Sequence, residues 1–256
     1  MENRIDVVKN KKNILSVYFT AGYPSLNDTE TIIKLLEENG ADMIEVGIPF
    51  SDPTADGPTI QESTNKAIEN GMSLQLLFNQ LKSLRQYSNI PILLMGYFNV
   101  IYQFGVENFI ENCKKTGIDG TIIPDLPLNE YNKDYKRLFE ENNIYNIFFI
   151  SPETNIDRIK EIDNASKGFI YVLSASQTTG KNISESKSIE TYLTHLKSLN
   201  LSNPFLVGFG ISNKQSFDYV CQYANGAIIG SAFVKAIAKG NLEESIKNFV
   251  NNIKKV

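Results

Sequence analysis

Eight short runs of β-branched and aromatic residues recur along this chain, separated by longer amphipathic stretches. The runs are ILSVYFTA (14–21), DMIEVGI (42–48), IPILLMG (90–96), GTIIPD (120–125), NIFFIS (146–151), FIYVLSA (169–175), PFLVGFG (204–210) and GAIIGS (226–231). Between the first two lies NDTETIIKLLEENG, with Ile32, Ile33, Leu35 and Leu36 at helical spacing, a cap at Asn27 or Asp28 and a stop at Gly40. VENFIENCKKTG, closing at Gly117, and NIDRIKEIDNASKG, closing at Gly168, follow the same pattern. Such alternation predicts parallel strands with helices outside them. Eight units in 256 residues predict an α/β fold, a closed (β/α)8 TIM barrel, because closure removes both sheet edges. An open doubly wound sheet is the alternative. No composition break divides the chain, so a single domain over 1–256 is expected; KNISESKS (181–188) reads as a polar loop after the sixth strand.

Composition narrows the function classes. Net charge is −4 with both signs scattered, and no basic tract offers a nucleic-acid footprint. The apolar runs are too short to span a bilayer, and MENRIDVVKNKKN lacks the apolar stretch of a signal peptide. Cys113 and Cys221 are far apart without C-x-x-C spacing, which predicts buried free thiols in a reducing, cytoplasmic setting. His195 is the only histidine, so a usual zinc site is not expected.

The second run carries an anomaly, EVGIPFSDPTADGP, with a carboxylate where Val or Ile would pack better. Strand side chains alternate faces, so Ile44, Val46 and Ile48 share the helix-facing side, while Met43, Glu45 and Gly47 point into a barrel. Glu45 then sits near the C-terminal mouth, where active sites of this fold lie, and Gly47 is expected to leave ligand room above it. Burial favours the neutral acid, so Glu45 is expected to have a raised pKa and to donate a proton. The structural alternative is a glutamate tied to Arg or Lys across the barrel, although no cation is local to MIEVGIPF. Pro49, Pro53 and Pro58 stiffen the following loop. Asp52, before Pro53, reads as a turn residue. Asp56 reads equally as a turn residue or as a partner of Glu45, in an arrangement that pushes two carboxyl pKa values apart.

Gly208-Phe-Gly-Ile-Ser closes the seventh run, and Gly230-Ser231 closes the eighth ahead of the apparent helix SAFVKAIAKG. Barrels often hold phosphate there, on glycine backbone and a helix N-terminus, and Thr179-Gly180 after the sixth run adds a further donor. Three unrelated turns would look the same.

Together these segments resemble one family. EVGIPFSDPTADGP with Ile60-Gln61 resembles the signature of the tryptophan synthase alpha subunits. YFTAGYP (18–24), PILLMGYFN (91–99), IIPDLP (122–127), GFGIS (208–212) and GSAFVK (230–235) follow in that family's order. The resemblance implies cleavage of indole-3-glycerol phosphate to indole and glyceraldehyde 3-phosphate. It also implies an α2β2 complex with a beta subunit that carries pyridoxal phosphate, receives indole through a tunnel and makes L-tryptophan. By position it implies Glu45 and Asp56 as catalytic residues and Tyr171 lining the site. Phosphate contacts fall on Gly180, Gly208, Gly210, Gly230 and Ser231, with Thr179 beside them, and an indole-facing wall on Tyr18, Ile60, Met95 and Phe209. Two departures stand out: Tyr18 where relatives often have Phe, and SASQTTGKNISES, where Gln177 and Thr178 replace the Gly-Val of a Gly-Val-Thr-Gly loop.

Other aldolase chemistries fit less well. A Schiff-base mechanism needs a desolvated lysine, and none of the eight runs contains one. A metal-dependent one needs a histidine cluster. No metal and no cofactor are therefore expected on this chain. A free-standing lyase with no tight partner, or a phosphate-binding barrel that mainly activates its partner, would share the same signature. Loops 49–60 and 176–189 are expected to act as lids.

Overall fold

In the computed structural model, which describes residues 2–54, 56–173, 187–208 and 210–254, eight strands pair in parallel in sequence order. They are β1 Ile14–Thr20, β2 Met43–Gly47, β3 Ile92–Met95, β4 Gly120–Ile122, β5 Tyr145–Ile150, β6 Ile170–Leu173, β7 Phe205–Gly208 and β8 Gly226–Ile229. Pairing of β8 with β1, Gly226 opposite Ile14 and Ile228 opposite Ser16, closes the ring. The open-sheet alternative is excluded. This is the (β/α)8 barrel that the alternation predicts.

Strand alternation divides the core into two shells. Leu15, Val17, Phe19, Ile44, Val46, Ile92, Leu94, Val172 and Val207 point outward and pack under the helices. Ile14, Met43, Leu93, Ile122, Ile147, Tyr171, Leu206 and Ile228 point inward and fill the barrel. Every residue of β2 is buried, as a strand covered on both sides must be.

The N-terminal segment closes the floor. Ile5 and Val8 are fully buried and join the inner shell. A Cβ added at Gly120 or Gly168 would lie 2.8 Å or 2.6 Å from Ile5, so glycine at these positions makes space for the plug. Asn3 donates to the carbonyls of Asp119 and Asn143, and Arg4 and Arg85 pair with the Asp119 carboxylate at 2.9 and 2.6 Å.

The expected helices form with small boundary changes. Thr29–Glu38 ends before Gly40, and Val106–Thr116 stops at Gly117 in the left-handed conformation. Ile156–Ala165 is capped by the Asn155 side chain and ends before Gly168, because Ser166 is already extended. Lys187 and Ser188, read from sequence as loop, open the helix Lys187–Ser198. His195 is exposed on that helix. Cys113 is buried, whereas Cys221 is only half-buried; both are free thiols. Among the described residues no helix is long and apolar enough to cross a membrane.

Candidate active site

Glu45 occupies the middle of β2 and faces inward, opposite Tyr18 on β1 and Leu93 on β3. Its side chain is fully buried. The Ser16 hydroxyl donates to its Oε1 at 2.8 Å, while Oε2 has no hydrogen-bond partner. No cation pairs with it among the described residues, so the structural alternative of a clamped glutamate fails. Burial pushes its pKa up to about 8, and the Ser16 hydrogen bond opposes the shift. The inner shell therefore holds a carboxyl that is largely protonated near neutral pH.

A cavity with about 530 Å³ of empty space opens at the C-terminal mouth of the strands. Tyr18, Asp56, Ile60, Met95, Tyr171, Gly210, Gly230 and Ser231 line it, eight of the residues expected from sequence. Ile211 and Ile228 complete the lining and were not expected. Glu45 contributes no surface to the cavity. It lies within electrostatic reach of the Tyr18 and Tyr171 phenols, both of which line it.

Two glycines make room for tyrosine rings. A Cβ at Gly47 would lie 2.1 Å from the Tyr18 hydroxyl, and one at Gly208 would lie 2.3 Å from that of Tyr171. The space beside Gly47, expected for a ligand, is filled by the Tyr18 phenol. Gly208, expected as a phosphate contact, lies against Tyr171 and does not line the cavity. The two rings thus reach across neighbouring strands, and burial raises the pKa of both phenols, which keeps them neutral donors.

Asp56 approaches from the loop after β2. Tyr97 donates from its hydroxyl to Asp56 Oδ2 at 3.2 Å, and the Phe50 ring packs on Tyr97 with centroids 5.3 Å apart. The Gln61 amide donates to the Asp56 carbonyl at 2.8 Å. Burial raises the Asp56 pKa while the Tyr97 phenol lowers it. Both carboxyls are therefore shifted upward; they differ in partner, not in the direction of the shift. Asp52 is exposed and takes a hydrogen bond from neighbouring Ser51, as a turn residue would.

At the opposite wall, Gly230 precedes the helix Ser231–Ile237, and no side chain caps it. The first N–H groups of a helix have no intrahelical acceptor, which leaves donors beside the cavity. Gly210 takes a φ of +74°, a conformation that favours glycine. Thr179, Gly180 and Phe209, together with Gln177, Thr178 and most of the second lid loop, lie outside the described residues. Tyr97 and Ser16 were missed as site residues. Tyr97 sits within the PILLMGYFN segment, but nothing local marks its phenol as the partner of a residue 41 positions away. Among the described residues no three His, Cys, Asp or Glu side chains converge as a metal site would require.

The closed ring, with one carboxyl buried in its interior and a second beside an uncapped helix start at its C-terminal mouth, defines a (β/α)8-barrel protein whose functional face lies there. Comparison with known proteins narrows this. The family model described as tryptophan synthase alpha chain matches residues 5–256. The tryptophan synthase alpha chain of Flavobacterium psychrophilum is 52% identical over 98% of this chain and 99% of its own length. That of Flavobacterium johnsoniae is 50% identical over 98% of this chain and 100% of its own. Among solved structures, the alpha chain from Legionella pneumophila superposes with a TM-score of 0.88 at 30% identity, covering 99% of this chain and 96% of that one. A chain of the tryptophan synthase complex from Pyrococcus furiosus gives 0.87 at 37% identity, covering 96% and 99%. The chain belongs to the tryptophan synthase alpha chain family, which implies a lyase activity.

Proposed function

We propose that this chain cleaves indole-3-glycerol phosphate to indole and glyceraldehyde 3-phosphate by a retro-aldol reaction. The observation that carries the reading is Glu45, an acid buried without a cation beside the cavity, with Oε2 unpaired. Indole C3 is a poor carbanion leaving group, so it must first be protonated. Protonated Glu45 supplies that proton, and the ring becomes an indoleninium with positive charge at nitrogen. Asp56, with the Tyr97 phenol favouring its ionised form, accepts a hydrogen bond from N1–H and offsets the charge. Glu45, now a carboxylate, takes the proton of the 3′-hydroxyl. The C3–C3′ bond breaks, its electron pair returns to the ring, and the hydroxyl carbon becomes the aldehyde. The proton spent at C3 equals the proton recovered, so Glu45 ends as it began. General acid–base steps of this kind contribute roughly 10²–10⁴-fold each.

Tyr18, Ile60 and Met95 suit an indole ring, and Gly210, Gly230 and Ser231 suit a phosphate. Holding both ends limits the approach of the reacting carbon to the acid. Because Glu45 contributes no surface to the empty cavity, substrate binding must bring C3 and Oε2 within hydrogen-bond range. The partner in this reading is a beta subunit in an α2β2 complex, with pyridoxal phosphate on that subunit and no cofactor on this chain. Indole release by the pure chain, with and without a beta subunit, tests the reading. Slow release that rises on adding the partner is expected. Full turnover alone would favour a free-standing lyase, and tight ligand binding with no release would overturn the activity.

A further inference from the structure

Ser16 is a polar residue where the barrel has little use for one. It faces inward from β1, fully buried, paired in register with Met43 of β2 and Ile228 of β8, both in the apolar inner shell. Its hydroxyl donates to Glu45 Oε1 at 2.8 Å, and the other carboxyl oxygen is left without a partner. A hydroxyl at such a site costs stability unless it is hydrogen-bonded, so the pair explains why serine stands there.

We propose that Ser16 is a positioning residue for Glu45: by donating to Oε1 it fixes the carboxyl and leaves Oε2 as the oxygen that exchanges the proton. This rests on the proposed reaction, in which Glu45 is acid and then base. The chemistry favours a neutral donor for that task. A lysine or arginine in place of Ser16 would hold the carboxyl ionised and remove the acid. A hydroxyl donates to the C=O oxygen of the acid and, more strongly, to an oxygen of the carboxylate, so it keeps one grip through both steps. With Oε1 already accepting, the acid proton belongs on Oε2.

The titratable groups around Glu45 do not duplicate this role. Tyr18 from β1 and Tyr171 from β6 sense its charge, and Asp56 acts on the same two phenols. None of them is cationic. Donation from Ser16 is also the influence that opposes the burial-driven rise of the Glu45 pKa.

The test uses the whole chain with labelled glutamate carboxyls, titrated by carbon NMR without ligand, beside the pH profile of indole release from indole-3-glycerol phosphate. A charged acceptor that loses a hydroxyl donor shifts by about one pH unit. Ser16→Ala is expected to move the Glu45 titration and the falling limb of activity up by that amount. It should lower kcat by about tenfold and leave KM within about twofold, as expected when an interaction acts on the chemical step and not on substrate binding. Ser16→Thr, which keeps the hydroxyl, should restore both. A Glu45 titration that stays in place in Ser16→Ala would overturn the proposal, as would a Ser16→Thr protein that folds but titrates like Ser16→Ala. Turnover retained by Glu45→Gln would instead overturn the reaction itself, and the NMR titration would still decide whether Ser16 holds Glu45.

Discussion

At position 45 the fold accepts a buried carboxyl that an amide could replace without change of shape. The folded-state pKa of Glu45, about 8, lies above its ordinary value of 4.5, so the folded state holds more protons than the unfolded state between those pH values. Stability contributed by the neutral acid is then fully present below about 4.5 and is lost as pH rises toward 8. Glu45→Gln removes that loss. Its melting temperature is expected to match wild type near pH 5 and to exceed it near pH 9 by at least ~3 °C, roughly the shift that 1 kcal/mol brings in a chain of this size. Calorimetry at the two pH values checks this, and equal differences at both would contradict the burial argument. Glu45 was legible in the sequence because alternation in MIEVGI forces it inward whatever the rest of the chain does. Ser16 was not, because a serine in a strand carries no motif and its partner lies 29 residues on, across a strand pair. Gly47 and Gly208 were legible as open positions but not for their reason, since the tyrosines that fill them come from neighbouring strands.

At the scale of elements, the loop after β2 and the C-terminal end of β3 act as one unit. Pro49 and Pro53 stiffen the loop, while Phe50 and Asp56 bind it to Tyr97. Pro58, read from sequence as part of the loop, instead opens the helix Pro58–Glu69. Tyr97→Phe keeps the ring contact and removes the donor. The Asp56 pKa should rise further, because the hydrogen bond that opposes burial is gone. A reaction that needs ionised Asp56 then loses activity first at low pH, with its rising limb displaced upward by about one unit. The pH profile of kcat checks this, and an unmoved acid limb would remove Tyr97 from the account. Gly47→Ala probes the β1–β2 contact. A Cβ 2.1 Å from the Tyr18 hydroxyl forces the ring to move, and overpacking of this kind costs about 1–3 kcal/mol. Denaturant unfolding should show that cost, and an unchanged midpoint would mean that the ring yields freely. Helix stops at Gly40 and Gly117 were readable because a left-handed C-terminus needs glycine. The start of the helix at Lys187 was not, because KNISESKS contains no apolar periodicity to announce it.

Across the whole molecule, the barrel is closed at one end and open at the other. The N-terminal segment read from sequence only as polar, yet Ile5 and Val8, three residues apart on two short helical turns, pack into the floor, where Asn3, Arg4, Arg85 and Asp119 tie the segment down. That role is set by the topology that brings residue 5 beneath β4, and no local pattern reveals it. Closure of the floor directs access to the mouth, where Asp56, Tyr171 and the Gly230–Ser231 helix start converge from three separate parts of the chain, with Glu45 buried within reach of the Tyr171 phenol. The convergence was legible because the signature segments fall in order on strands whose C-terminal ends must share one face. The proposed reaction depends on proton donation from one buried acid. The direct measurement is indole release from indole-3-glycerol phosphate across pH, by wild type and by Glu45→Gln, each saturated with a beta subunit. Wild-type activity is expected to fall as pH rises through about 8, where the acid ionises, and Glu45→Gln to lose at least about 10²-fold at every pH. Glu45→Gln turning over within a few-fold of wild type would contradict the account.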